Sequence, residues 1–372
     1  MDPQGQFCHN PACPARGQVG HGNIGGHSQG KQRYVCHRCG RTFAATTGTA
    51  FYRLRTVAET VTVVLTLLSR GCPVQAVVAA FGVDERTVAR WLPQAGSHCQ
   101  QVHQQLVQQG QVDLQHVQAD ELWVKLVGQR VWIALARAIP SRQWLGGRIS
   151  PLRDLVLITG LVQQVRACAR CLALLVCVDG LASYVTAFGR GFRTPVYTGW
   201  RGRPRLVLVA GFLLGQVVKQ DAKWRAVRLQ QRVRYGTAGA IAAVLAAPDT
   251  GHGIHTAYIG RFNVTLRSAL APLVQWGRAL ARKVDTLTAG MYPVGCACNF
   301  CWPPGSLRVL APAGHGWKWQ ERPPATAAGL TAHPWTMHEL LRYQVPLPAW
   351  VPPKRRGRPP NTAPPPPLAV AS

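Results

Sequence analysis

Residues 117–126 read Val-Gln-Ala-Asp-Glu-Leu-Trp-Val-Lys-Leu, and residues 172–180 read Leu-Ala-Leu-Leu-Val-Cys-Val-Asp-Gly. The first stretch alternates in part between apolar and polar residues, which is typical of a half-buried β-strand. The second stretch is a continuous apolar run, which indicates a strand buried on both faces. Each predicted strand carries one aspartate, Asp120 in the first and Asp179 at the end of the second, so these strands link the fold to a candidate site.

The segments around these two strands predict the order of the elements. Further elements are expected as strands at 130–139 and 143–149, a helix at 154–165, a strand within 206–218 and a helix at 256–270. Three hairpin-connected strands, a helix, a buried strand ending in Asp and further α/β units predict a ribonuclease-H-like domain over residues 113–302. The whole chain is therefore expected to be a multidomain α/β protein.

Asp120 and Asp179 would approach each other in such a sheet. Two carboxylates in one site repel unless cations neutralise them. A pair of Mg²⁺ ions ~3.5–4 Å apart would do so, and would activate water or a 3′-hydroxyl for phosphodiester transfer. Two simpler interpretations stay open, namely Asp179 as a turn former before Gly180, and Asp120 with Glu121 as a charge pair on an edge strand.

Four cysteines near the N-terminus have the spacing of a metal site. They are Cys8 and Cys13 in a Cys-x4-Cys pair, and Cys36 and Cys39 in a Cys-x2-Cys pair. Each pair can place two thiolates on one tetrahedral zinc ion, and so small a module needs the metal to stay folded. We therefore predict a structural zinc ribbon over residues 1–48, with four unconnected thiols as the alternative. The later cysteines lie beside apolar stretches and suit apolar packing better than a second zinc site.

Residues 49–112 have the pattern of a helix-turn-helix. An apolar stripe over 57–69 is followed by a short helix at 74–80, a turn containing Gly82, and a second helix over 84–92 with Asp84 as its N-cap. The side chains expected to face the helical core are those of Ala79, Val83, Val88 and Trp91 or Leu92.

Arg86, Thr87 and Arg90 are then expected to face outward from the second helix. In helix-turn-helix proteins this face of the second helix enters the major groove of double-stranded DNA. The position after a zinc ribbon in a strongly basic chain favours DNA binding. The alternative is an ordinary helical hairpin with solvated charges.

The last segment, residues 303–372, is rich in proline and ends in a basic run. Its Arg-Gly-Arg-Pro sequence is similar to an AT-hook, which inserts into narrow minor grooves. The basic residues are Lys354, Arg355, Arg356 and Arg358. A basic disordered tail with nonspecific affinity for phosphate is the alternative interpretation.

The composition supports a polyanionic partner. The chain of 372 residues has 42 Lys and Arg against 14 Asp and Glu, a formal charge of +28. Such a balance favours nucleic acid as the partner. We find neither an apolar run long enough to cross a membrane nor a signal peptide. A cytoplasmic, nucleoid-associated protein without membrane contact is therefore expected.

Several motifs, taken in their order and spacing, resemble those of small prokaryotic insertion-sequence transposases of the DDE class, most closely the type of insertion sequence one. The motifs are the zinc-ribbon cysteines, the helix-turn-helix, Gln-Ala-Asp120-Glu121-Leu-Trp, Val-Asp179-Gly, and Thr-Ala-Tyr-Ile-Gly260-Arg-Phe-Asn263-x3-Arg267. The resemblance covers about residues 8–310. It implies that Asp120 and Asp179 bind catalytic Mg²⁺, and that Arg267 contacts phosphate. It also implies that a homo-oligomer binds the terminal inverted repeats of a mobile element.

The third family carboxylate is missing from this chain. The family pattern reads Tyr-Ile-Glu-Arg, whereas this chain has Gly260 at the Glu position and no Glu between Glu121 and Glu321. Two hypotheses follow. One is a transposase-type protein that catalyses Mg²⁺-dependent cleavage and strand transfer with impaired activity. The other is a catalytically inactive DNA-binding protein, either a decayed copy or a repressor of related elements.

Overall fold

The structure is a computed structural model that describes residues 2–197, 199, 202–222, 225–248, 253–270, 283–311 and 318–352, without the side chains of 219–228. The chain divides into two compact units. One unit contains residues 1–47 together with 346–372, and the other contains residues 48–345. The protein is thus a mixed α/β multidomain chain, as predicted. No helix among the described residues is long and apolar enough to cross a membrane.

The first unit is built on a small antiparallel sheet. Its strands are β1 (Ile24–Ser28), β2 (Arg33–Cys36) and β3 (Thr42–Ala44), in the order β1-β2-β3. Strand β2 leads directly into the second cysteine pair. Gly40 follows that pair with a φ of 68°. A residue without a Cβ adopts this left-handed conformation freely, and so the chain can turn back around the cysteines.

The second unit begins with three helices, α1 (Ala58–Ser69), α2 (Val74–Phe81) and α3 (Glu85–His103). Gly82 ends α2 in a left-handed conformation. Asp84 caps α3 as predicted, because its carboxylate accepts from the backbone N–H groups of Arg86 and Thr87. The prediction that Ala79 faces the core is wrong. Ala79 is exposed, and Val77 is the buried residue of α2.

Within the described residues, six strands form the main sheet, in the order β11-β10-β7-β4-β5-β6. These strands are β4 (His116–Leu126), β5 (Gln129–Ala138), β6 (Trp144–Ser150), β7 (Leu175–Val178), β10 (Leu213–Ala222) and β11 (Arg225–Tyr235). Strands β4, β5 and β6 are antiparallel, whereas β7 runs parallel to both β4 and β10. The predicted run at 206–218 contributes β9 (Arg205–Leu208), which pairs with β8 (Arg193–Val196), as well as the start of β10.

Helices cover the sheet and extend the core. They are α4 (Leu155–Cys168), α5 (Ala182–Gly191), α6 (Ala238–Leu245), α7 (Ala257–Ala269), α8 (Val284–Cys296), α9 (Pro324–Ala327) and α10 (Met337–Arg342). Two short strands, β12 (Val309–Leu310) and β13 (Trp319–Gln320), form a separate ribbon. Helix α7 confirms the helix predicted at 256–270, and its stripe of Ile259, Phe262 and Leu266 is buried.

The segments predicted as separate domains at 49–112, 113–302 and the start of the 303–372 tail share one core. A single buried cluster runs from Ala50 to Leu341. The cause is packing between distant helices: α3 continues past Leu92 to His103 and lies against α8. The backbone N–H of Ala50 also donates to the carbonyl of Leu341 at 3.0 Å, which joins the end of this unit to its beginning.

Candidate functional site

The sheet register brings Asp120 and Asp179 together. Strands β4 and β7 pair in parallel with Ala119 opposite Val178, so the next residue on each strand is an aspartate. Both carboxylates line a cavity of about 540 Å³. The ends of parallel strands therefore place side by side two residues that are far apart in the sequence.

Helix α7 lies against the Asp120 side of this cavity. The side-chain amide of Asn263 donates from Nδ2 to Asp120 Oδ2 at 3.0 Å, and the backbone N–H of Glu121 donates to Asp120 Oδ1 at 2.9 Å. Asn263 is buried, at 8% exposure. The two donors hold the Asp120 carboxylate in one orientation, with Asn263 linking it to α7.

Gln118 fixes the beginning of α7. Its side-chain oxygen accepts from the backbone N–H groups of Tyr258 at 3.0 Å and Ile259 at 3.1 Å. The first N–H groups of a helix have no partner within the helix, so the buried Gln118 amide supplies one from β4. Gln118 and Asp120 are two residues apart on the strand and therefore share a face. Sequence reasoning missed Gln118; the available signal was a polar residue on the same strand face as Asp120.

Gly260 lies one turn before Asn263 on α7. A Cβ built on Gly260 meets no atom within 4 Å. Residues three apart on a helix are neighbours on its surface, so a side chain at 260 would stand beside the Asn263 amide that contacts Asp120. Position 260 is thus open and lies on the same side of α7 as Asn263.

Glu121 points to the other face of the sheet and is deeply buried. Its carboxylate accepts from the Tyr184 hydroxyl at 2.8 Å and from the Arg153 guanidinium, with Nε at 2.6 Å. Burial, together with the nearby Asp179 charge, raises the pKa of Glu121. Burial is the largest cause that raises the pKa of Tyr184 well above its usual range, and the charges of Glu121 and Asp179 raise it further. The Tyr184 hydroxyl therefore stays protonated and acts as a donor. The alternative of a charge pair on an edge strand is wrong, because β4 lies between β7 and β5 and Glu121 binds partners that are far away in the sequence.

Arg153 connects Glu121 and Asp179. Besides its bond to Glu121, its Nη2 lies 3.2 Å from Asp179 Oδ2. Asp120, Glu121 and Asp179 each place one carboxylate oxygen within 4.8 Å of the others. Carboxylate oxygens suit hard divalent cations, but in this structure a guanidinium already neutralises part of the charge.

The predicted cysteines of the first unit come together as a compact group. The Sγ atoms of Cys8 and Cys39 are 3.7 Å apart, and those of Cys13 and Cys36 are 3.9 Å apart. A tetrahedral zinc ion with Zn–S bonds of about 2.3 Å spaces its sulfurs by ~3.8 Å. All four sulfurs lie within 4.8 Å of one another, so this group could bind a metal such as zinc.

The surroundings of the four cysteines favour the thiolate form at one of them, Cys39. Burial raises the pKa of Cys8. At Cys39 burial has the same tendency, but hydrogen bonds from the Asn10 side chain and the Arg41 backbone outweigh it and lower the pKa to about 7. Cysteines bind a metal as thiolates. A bound cation would also lower the pKa of the other three thiols.

The predicted DNA-contacting residues are only partly described. Arg86 and Arg90 are exposed on α3, and Thr87 is half-buried. Arg267 is half-buried on α7 and forms no ion pair with Asp120 or Asp179 in the described part of the chain. The tail residues Lys354, Arg355, Arg356 and Arg358 lie outside the described residues.

No family model matches the chain, and no curated protein matches it.

Proposed function

We propose that this chain is a transposase-type protein that binds the ends of a mobile DNA element and carries a ribonuclease-H-like domain with an incomplete catalytic site. One observation carries the proposal: β4 and β7 bring Asp120 and Asp179 to one cavity, and α7, the helix that carries position 260, contacts Asp120 through Asn263. The family resemblance assigns metal-binding carboxylates to these three positions.

The strand order supports the same proposal. From β6 to β10 the sheet runs β6-β5-β4-β7-β10, with three antiparallel strands followed by two that are parallel to β4. This arrangement is expected for a ribonuclease-H-like sheet in which three hairpin strands precede the α/β units. The covering helices α4 and α5 also fit that arrangement.

Binding to duplex DNA is supported by the first three helices and by the charge. Gly82 makes the turn, Asp84 caps α3, and Arg86 and Arg90 are exposed on the first turns of that helix. The N-terminal residues of a recognition helix contact the base edges in helix-turn-helix complexes. The zinc-ribbon cysteines and the formal charge of +28 fit a protein that binds DNA with more than one module.

Asp120 and Asp179 are the residues that would hold Mg²⁺ at this site. When bound there, Mg²⁺ would activate a water or hydroxyl nucleophile and stabilise the leaving oxygen of a phosphodiester. Asn263 orients the Asp120 carboxylate, and Gln118 keeps α7 against the strand. Arg153 offsets part of the negative charge that would otherwise repel DNA phosphate.

A DNA-binding protein without catalysis is the second candidate. Gly260 provides no carboxylate, and Arg153 already bridges Glu121 and Asp179. A site whose charges are satisfied by protein donors has less need of a metal. These two observations favour a repressor or a decayed copy over an active enzyme.

The experiment compares the unmodified chain with Gly260→Glu, Asp179→Ala and the control variant Gly239→Glu. Gly239 lies on exposed α6, and its Cβ also meets no atom within 4 Å, so the control adds the same charge away from the site. Duplexes that tile the DNA flanking the gene are incubated with each protein and Mg²⁺, and binding and nicking are scored. We expect all four proteins to bind, and Gly260→Glu to cut the most.

The outcomes separate the two candidates. Strong cutting by the unmodified chain, abolished in Asp179→Ala, excludes the binding-only function. If no variant cuts while binding persists, the catalytic assignment of the cavity is wrong. If none of the duplexes is bound, the proposed DNA-binding function fails as a whole.

A further inference from the structure

One face of the β4–β5 hairpin is exposed and carries both aromatic and basic side chains. Along β4 the side chains of Leu122, Val124 and Leu126 are buried in the main core. The alternate residues therefore point away from that core. We call the opposite surface the Trp–Arg face, defined by Trp123, Lys125, Arg130, Trp132 and Arg153.

The aromatic rings of this face are paired with guanidinium groups. Arg130 lies 4.6 Å from the centroid of the Trp123 ring, and Arg153 lies 4.9 Å from that of Trp132. Trp123 and Trp132 are directly opposite each other on the two strands. Stacking on an indole restrains a guanidinium while leaving its N–H groups free to bind an anion.

The charge on this face is largely uncompensated. Lys125 and Arg130 are opposite each other on the hairpin and exposed, and neither has an ion pair within the described residues. Trp123 is 37% exposed, so part of its ring is open to a partner. A rigid aromatic surface with free positive charge is complementary to a negatively charged partner that also presents flat rings.

The Trp–Arg face is continuous with the carboxylate cavity. Arg153 belongs to both, because it lines the cavity and stacks on Trp132. Glu121 and Trp123 are two residues apart on the same strand face, a separation of ~7 Å. Glu121 does not line the cavity, so the link is Arg153: a strand that passes Arg153 would reach Trp132 and, opposite it, Trp123.

We propose that the Trp–Arg face binds an unpaired DNA strand, with a base stacked on the Trp123–Arg130 pair and phosphates held by Lys125 and Arg130. Bases in a duplex are already stacked on each other, whereas an unpaired strand offers free base surfaces to aromatic and guanidinium planes. This inference rests on the proposed function, since it assumes that DNA reaches the cavity. It names the form of DNA that does so, a strand that has left its duplex.

The test measures binding by the full-length, zinc-loaded protein without added Mg²⁺, so that cleavage plays no part. The probes are a fluorescein-labelled oligothymidine of about 16 nucleotides and its duplex with oligoadenosine. The variants are Trp123→Ala, Trp123→Phe and Arg130→Ala. The control is Trp319→Ala, because Trp319 is also exposed, at 40%, and has Arg308 stacked on it at 4.5 Å, but does not line the cavity.

We expect Trp123→Ala to weaken binding of the single strand about tenfold, as the loss of one stacked base does. Trp123→Phe retains most of the affinity, and the duplex affinity changes little. Arg130→Ala lowers the slope of log affinity against log salt by about 0.7 for the single strand. Trp319→Ala leaves both probes unchanged.

A second measurement uses the unmodified protein, so that a folding defect in a variant cannot account for the result. The unmodified protein is cross-linked by ultraviolet light to a bromouracil-substituted strand, and the attached peptide is expected to contain Trp123. The inference is overturned if Trp123→Ala and Trp319→Ala lose the same affinity for the single strand, or if Trp123→Ala loses as much affinity for the duplex. It is also overturned if the protein does not bind the single strand, or if the cross-link forms elsewhere. Cleavage that is insensitive to Trp123 overturns only this inference, whereas strand binding at Trp123 in a protein that never cuts overturns only the catalytic assignment.

Discussion

At the scale of single residues, Arg153 controls the charge of the candidate site. The Glu121 side chain is 1% exposed and that of Arg153 is 37% exposed, so an acid in the interior is neutralised by a partner at the surface. A buried carboxylate without a partner costs several kcal/mol. Arg153 therefore stabilises the fold and also neutralises part of the negative charge of the cluster.

Replacing Arg153 with Gln is expected to lower the free energy of unfolding by about 2 kcal/mol, because Glu121 and Asp179 then lack their shared cation. Adding Glu121→Gln in the same chain should recover most of that loss. Urea unfolding at neutral pH measures both effects. Arg170→Gln is the control, since Arg170 is exposed and its ion pair with Asp113 is long, at 4.0 Å. Arg153 has no such role if its variant is as stable as that control.

His103 gives the fold a dependence on pH. It is buried, packs 4.6 Å from the Trp144 ring, and its Nε2 lies 3.1 Å from the carbonyl of Leu145. Burial lowers its pKa to about 4. The unfolded chain therefore binds this proton at a higher pH than the folded chain does, and stability falls as the pH drops from ~6.5 towards 4.

Between pH 7 and pH 4.5, His103 alone is expected to remove about 2–3 kcal/mol from the free energy of unfolding. His103→Gln should flatten this dependence, because the amide still donates to Leu145 and does not titrate. The measurement is urea unfolding at both pH values, with the exposed His333→Gln as the control. An unchanged pH dependence in His103→Gln would contradict the assignment.

At the scale of elements, two contacts hold helices of the second unit in place. Gln118 joins β4 to the first turn of α7, and Gly96 lets α3 approach α8. A Cβ on Gly96 would lie 2.5 Å from the carbonyl oxygen of Ala289 and 2.7 Å from its Cα. Backbone atoms cannot move aside as a flexible side chain does, so the two helices would have to separate.

Gly96→Ala is accordingly expected to destabilise the second unit by about 1–3 kcal/mol, since overpacking outweighs the gain in helix propensity. Gly239→Ala on α6, where nothing lies within 4 Å, should instead be neutral or stabilise by up to about 1 kcal/mol. Thermal unfolding of the two variants compares them directly. A stabilised Gly96→Ala would show that α3 and α8 are not in close contact.

At the scale of the whole molecule, the two units rely on different sources of stability. The second has an extensive apolar core, from Ala50 to Leu341, whereas the first has a small cluster that includes its own cysteines. Modules with so little core are usually stabilised by a metal. Loss of a metal should therefore affect the units unequally.

Removing the metal is expected to unfold residues 1–47 and to leave the core of residues 48–345 intact. Limited proteolysis with and without a strong chelator is the measurement, with Cys36→Ser as the genetic equivalent and the exposed Cys171→Ser as its control. Elemental analysis should find about one zinc ion per chain. Substantially less zinc, or a proteolysis pattern that the chelator does not change, would exclude a structural metal.

The sequence by itself determined the features that depend on neighbours along the chain. The spacing of the cysteines, the Asp84 cap, the Gly82 turn, strand β4 and the buried stripe of α7 are local patterns. Each reflects the period or end of one element. Helix α2 marks the limit of such patterns. It is apolar on nearly every side, so its sequence does not distinguish Val77 from Ala79, and only packing against neighbouring helices selects the buried residue.

Tertiary structure alone decided which distant side chains meet. Arg153 and Tyr184 bind Glu121, Gln118 holds α7, and Trp123 stands opposite Trp132 because the strands pair in one register. The period of a strand shows which residues share a face, but not which helix or turn covers that face. The +28 charge and the glycine at position 260 were visible in the sequence. That the position is open and lies beside Asn263 followed only from the packing of α7 on β4.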